Sequence, residues 1–98
     1  MMAPFSPSEA EEAKAAPSPM VKIDNFTFTP AEITVARGTT VNWTNGDDIP
    51  HTVVAVNKAF KSKVLDTEQS FSFTFTSPGT YAYFCSLHPH MQGKVIVK

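Results

Sequence analysis

The stretch Phe71-Ser72-Phe73-Thr74-Phe75-Thr76-Ser77-Pro78-Gly79-Thr80-Tyr81-Ala82-Tyr83-Phe84-Cys85 spells two strands and the turn between them. Phe71, Phe73 and Phe75 alternate with Ser72 and Thr74, the period-two pattern of a strand with one buried face. Ser77-Pro78-Gly79 is a turn in which the glycine can take a positive φ. Tyr81, Tyr83 and Cys85 then share one face, with Ala82 and Phe84 on the other. The same grammar runs upstream. Val21 and Ile23 alternate, and Phe26 and Phe28 follow on a shifted phase, which predicts a kink or bulge near Asn25. Thr29-Pro30 interrupts the ladder, because proline has no N–H to donate. Ile33 and Val35 alternate next, Arg37-Gly38 is a turn signal, and Val41 and Trp43 alternate in turn. Asn45-Gly46-Asp47-Asp48 is a strong turn. Val54 and Val56 face one way, Val53 and Ala55 the other.

Residues 57–68 carry Lys58, Lys61, Lys63, Asp66 and Glu68 and show no clean period. They read as a loop, with room for one helical turn. Val95, Ile96 and Val97 close the chain. The sum is seven to eight short strands and no convincing helix, which predicts an all-β sandwich or barrel.

Composition agrees with a single small domain. The 98 residues are 42% hydrophobic and 11% aromatic, a globular balance. The formal net charge of -1 gives no basic footprint for nucleic acid. No apolar run reaches the length of a membrane-spanning helix. Residues 1–19 differ from the rest, being rich in Pro, Ala, Ser and Glu. They carry Lys14 against Glu9, Glu11 and Glu12, and they lack the basic and apolar regions of a secretory signal. This segment reads as a flexible linker or a cloning remnant, and residues 20–98 as the folded domain. The domain is nearly neutral, which suits weak, transient protein partners; a monomer is expected.

The chemistry begins where the second strand ends, in Cys85-Ser86-Leu87-His88-Pro89-His90-Met91. A thiolate, an imidazole and a thioether follow one another at steps of three, so a tight loop can return all three to one point. Another imidazole, His51, stands 34 residues before Cys85, after Pro50 and at the expected start of a strand. The single cysteine excludes an intramolecular disulfide. Two imidazoles, one thiolate and a weak axial thioether are the donor set of a blue-copper electron-transfer site. Structural zinc sites favour two or more cysteines.

Around this set, Trp43-Thr44-Asn45, Pro50-His51, Phe75, Pro78-Gly79-Thr80-Tyr81, Tyr83 and Cys85 resemble the cupredoxin family. The ligand loop, Cys85, two residues, His88-Pro89, one residue, Met91, is similar to the amicyanin branch. The resemblance covers about residues 20–98. It implies a Greek-key β-sandwich holding one copper, cycling between Cu(I) and Cu(II), on His51, Cys85, His88 and Met91. It also implies single-electron shuttling between redox proteins in the periplasm or another exported compartment. Two departures stand out. Many relatives have Asn directly after the first histidine, where this chain has Thr52, and amicyanin has Phe before its Met, where this chain has His90.

Each residue also has a plainer reading. Taken singly, Cys85 is a buried small hydrophobe, Met91 a core gap-filler and His51 a hydrogen-bonded imidazole. Their order and spacing together favour the metal. Asn45 reads as a turn-orderer that also stands, with Pro50 and Thr52, behind the ligands. Ile49, Pro50, Leu87, Pro89 and Met91 are expected to form an apolar patch about His88, and Leu87, Pro89 and His90 to be the surface met by partners. His88, rather than His51, is then the ligand at the solvent edge. Lys58, Lys61 and Lys63 read as a solvated loop before a steering patch. The alternative functions are a copper-delivery module and an electron-transfer domain excised from a larger protein. Delivery is disfavoured because Met1, Met2, Met20 and Met91 form no methionine cluster. An enzyme is disfavoured because the loop offers neither a second metal site nor a general base.

Overall fold

A computed structural model describes residues 19–98. These residues form eight strands: β1 (Met20–Asp24), β2 (Thr27–Thr29), β3 (Glu32–Val35), β4 (Thr39–Asn45), β5 (Val54–Ala55), β6 (Ser70–Phe75), β7 (Gly79–Cys85) and β8 (His88–Val97). They make two four-stranded sheets, ordered β2-β1-β4-β6 and β3-β8-β7-β5. Strands β1 and β4 run parallel, as do β3 and β8, and the remaining neighbours are antiparallel. No helix occurs among the described residues, so residues 57–68 are loop throughout. The all-β sandwich expected from the alternation is the observed fold. The expected linker falls on residues outside the described ones, except for Pro19, whose carbonyl accepts the Asn42 amide.

Inward-facing residues are those the alternation selects. Val21, Ile23, Val41, Trp43, Phe75, Tyr83, Val95 and Val97 are buried between the sheets. Trp43 is the hub, with ring centroids 5.5 Å from Phe60, 5.7 Å from Phe71 and 5.4 Å from Tyr83. Phe60 comes from the 57–68 loop, so the irregular segment earns its place by filling the sandwich. Such aromatic contacts add about 0.5–1.5 kcal/mol each beyond their buried area. Tyr83 lies across Gly93, its cross-strand partner, and a Cβ there would collide with the phenol ring and hydroxyl.

One expectation is corrected. The phase shift between Ile23 and Phe28 is not a bulge within a strand. Asp24 pairs with Thr27, so Asn25 and Phe26 are the two residues of a hairpin turn between β1 and β2. Both take positive φ, 52° and 57°. That is the mirror-type turn whose twist matches the flanking strands. Phe28 is buried beside Ile23, whereas Phe26 leaves the sheet and stands 52% exposed.

Candidate metal centre

The site lies at the end of the sandwich where β4 and β7 finish and β8 begins. Cys85 is the last residue of β7 and pairs across the hairpin with His88, the first of β8. Only Ser86 and Leu87 intervene, and the register shifts between Phe84 and Cys85. This tight reversal turns a spacing of three into proximity: Cys85 Sγ lies 3.7 Å from His88 Nδ1. The His51 Nδ1 atom arrives from the other side, also 3.7 Å from Sγ. The three donor atoms all fall within 4.8 Å of one another. Nitrogen and sulfur ligands sit about 2.0–2.3 Å from a first-row metal. In a trigonal arrangement, N and S donors at those lengths would be about 3.8 Å apart. The observed pairs fit that separation, so this donor set can close on one ion.

His51 is fully buried, and its place is set from behind. Its backbone makes a reciprocal pair with Leu65, N to O at 3.1 and 2.8 Å. It therefore sits on an isolated bridge and not at the start of a strand, a correction to the sequence reading. A loop and not a neighbouring strand supplies its partner. The Nε2 atom lies 2.8 Å from Asp47 Oδ2, so it donates its proton there and leaves the Nδ1 lone pair facing Cys85. Asp47 also accepts the amides of Asn25 at 2.8 Å and Phe26 at 3.0 Å. Burial pushes the Asp47 carboxyl upward, but these amide bonds and His51 outweigh it, and the group lies below its ordinary value.

Asn45 is fully buried and fully used. Its Nδ2 donates to the carbonyls of Ile49 at 2.9 Å and Leu65 at 2.8 Å, and its Oδ1 accepts the Asp47 amide at 2.8 Å. It thus fixes both the turn before His51 and the loop strand that pairs with it. Thr52 joins the two ligand-bearing segments. Its amide donates to Cys85 Sγ at 3.3 Å, and its hydroxyl accepts the Ser86 amide at 2.7 Å. A hydrogen bond to sulfur favours the thiolate over the thiol. Threonine therefore makes the tie for which the sequence comparison expects asparagine.

Met91 is buried on β8, on the inward face with Val95 and Val97. Its burial removes it from the expected apolar surface. His88 is partly exposed while His51 is not, as the sequence reading expects. Pro50, Leu87, Pro89 and His90 are all exposed around this end of the molecule. Three contributors went unread in the sequence: Asp47, Leu65 and Phe26. The Phe26 ring meets His88 edge-on at 5.1 Å and 80°, and His51 at 5.9 Å and 89°. An acid four residues before a histidine in a turn was the one available hint for Asp47. Nothing local marked the other two.

Comparison with known proteins agrees with this geometry. The sequence profile of the Cupredoxin-like domain matches residues 1–97. The chain is 37% identical over 84 residues to an amicyanin of Paracoccus versutus, covering 81% of this chain and 64% of that protein. It is 38% identical over 95 residues to amicyanin-alpha of Methylorubrum extorquens, covering 92% and 80%. An amicyanin variant solved in its Cu(I) form superposes with a TM-score of 0.78 at 37% identity, covering 83% of this chain and 82% of that one. By the profile match and these identities, the chain belongs to the cupredoxin-like domain family.

Proposed function

We propose that this protein is a single-electron carrier with one copper held by His51, Cys85, His88 and Met91. The observation that carries the reading is the convergence of His51 Nδ1, His88 Nδ1 and Cys85 Sγ at separations a single ion can span. Burial of Met91 three residues beyond His88 supports the thioether as the weak fourth ligand. The amicyanin relatives, one of them solved with Cu(I), support the choice of metal. Bound copper supplies a one-electron couple, and the protein's task is to hold one donor set suited to both oxidation states. It does so by fixing three of the four ligands from outside the metal. Asp47 and Leu65 orient His51, Thr52 bonds the Cys85 sulfur, and the β7–β8 hairpin carries His88. A site held in this way reorganises little when the charge changes.

In this reading His88 is the ligand through which electrons pass, because it alone of the two imidazoles reaches the surface. Leu87, Pro89, His90 and Pro50 frame it as the surface met by donor and acceptor redox proteins. The carrier works as a monomer in the periplasm or another exported compartment and catalyses no substrate chemistry. The decisive experiment adds Cu(II) to metal-free protein and records the visible spectrum, with Cys85→Ser as control. An intense blue band, reversibly bleached by ascorbate and absent from the control, is the expected result. A pale product that retains copper would overturn the electron-carrier reading and favour copper delivery.

A further inference from the structure

The turn Asn25-Phe26 places an aromatic residue where the chain least tolerates one. Mirror-type two-residue hairpins need positive φ at both positions and favour Asn-Gly, because glycine has no Cβ to clash. Here the glycine position holds Phe26 at φ 57°. A bulky residue in that region is an outlier that persists only where its surroundings hold it. Burial does not explain it, since the side chain is 52% exposed.

Asp47 is what holds it. One carboxylate accepts the amides of both turn residues, at 2.8 and 3.0 Å. The same Oδ2 that takes the Phe26 amide also takes His51 Nε2. The turn, the carboxylate and a ligand imidazole are therefore one hydrogen-bonded unit. Its product is a ring set edge-on against His88 and His51, whose Nδ1 atoms both face Cys85 Sγ.

We propose that Phe26 is a cap on the metal pocket, tethered by Asp47. It is a positioning residue that restrains the two imidazoles and closes the approach to the Cys85 sulfur. The inference rests on the copper reading above, and its test has an arm that does not need copper. Phe26→Gly removes the ring and at the same time suits the turn better. A residue with only a structural role would then alter thermal stability and nothing else.

Two rates are measured in wild type, Phe26→Gly and Phe26→Leu. One is alkylation of Cys85 by iodoacetamide in the metal-free protein, which reads access to the only thiol. The other is transfer of Cu(I) from loaded protein to bicinchoninate. For Phe26→Gly, Tm is expected to hold or rise while both rates increase at least about fivefold, with Phe26→Leu between. Rates within about twofold of wild type in both arms would overturn the cap. If wild type takes up copper without a blue band, the copper reading fails, and the alkylation arm alone decides whether Phe26 closes the pocket.

Discussion

The middle of the sandwich and its metal-bearing end are held together by different physics. In the middle, Trp43 touches Phe60, Phe71, Phe75 and Tyr83, and adhesion is shared among many non-directional contacts. At the end, single directed bonds decide position: Asn45 to Leu65, Asp47 to His51, Thr52 to Ser86. Apolar packing tolerates small rearrangement at a graded cost. A donor set meant for one ion does not, because a shift of a few tenths of an ångström alters every metal–ligand bond. The middle therefore determines whether the chain folds, and the end determines what the folded chain does.

The largest expected effect tests the first half of that statement. Trp43→Ala should destabilise the protein by about 3–5 kcal/mol, while the molecules that remain folded keep the full copper spectrum. Denaturant titration monitored by far-ultraviolet dichroism, beside the visible band, measures both. A changed band at full folding would mean that the core also tunes the site.

Copper provides the converse. An ion that binds only the folded state at 100 times its Kd should add about 2.7 kcal/mol. Calorimetry should show that increment in wild type and a much smaller one in His88→Ala. An undiminished increment in the variant would remove His88 from the ligand set.

Asn45→Ala should cost about 1–3 kcal/mol, because it strips buried partners from two carbonyls and one amide. Unlike Trp43→Ala, it should also weaken metal affinity, since the Leu65 segment that pairs with His51 is released. Equal affinity at reduced stability would assign Asn45 to folding alone. Gly93→Ala, which forces a Cβ into the Tyr83 ring, should cost about 1–3 kcal/mol and spare the donors.

The smallest effect on stability is expected from Thr52→Val, about 1 kcal/mol, because water can replace the hydroxyl at exposed Ser86. It should also shift the reduction potential, by weakening the hydrogen bonding around the Cys85 sulfur. The hydroxyl also lies 3.8 Å from the sulfur. An unmoved potential would show that the backbone amide of Thr52 alone serves the thiolate.

How far the sequence carried depends on whether the deciding interaction is local. Alternation placed the strands, because a two-residue period is imposed by the backbone itself. It misplaced Phe26, since a turn without glycine gives no turn signal and the phenylalanine imitates one more inward residue. The spacing of Cys85, His88 and Met91 was legible because one hairpin carries all three. His51 was legible as a residue type but not in its setting, for its bridge to Leu65 spans a loop with no period of its own.

By itself the sequence determined the strand grammar, the alternating part of the core and the spacing of Cys85, His88 and Met91, all of which follow from side-chain chemistry at fixed local intervals. Only the tertiary structure decided that Thr52 joins the ligand segments and that Asp47 ties the Asn25-Phe26 turn to His51. Those facts depend on which sheet ends meet in space. Directed bonds between residues more than twenty positions apart leave no periodic trace along the chain.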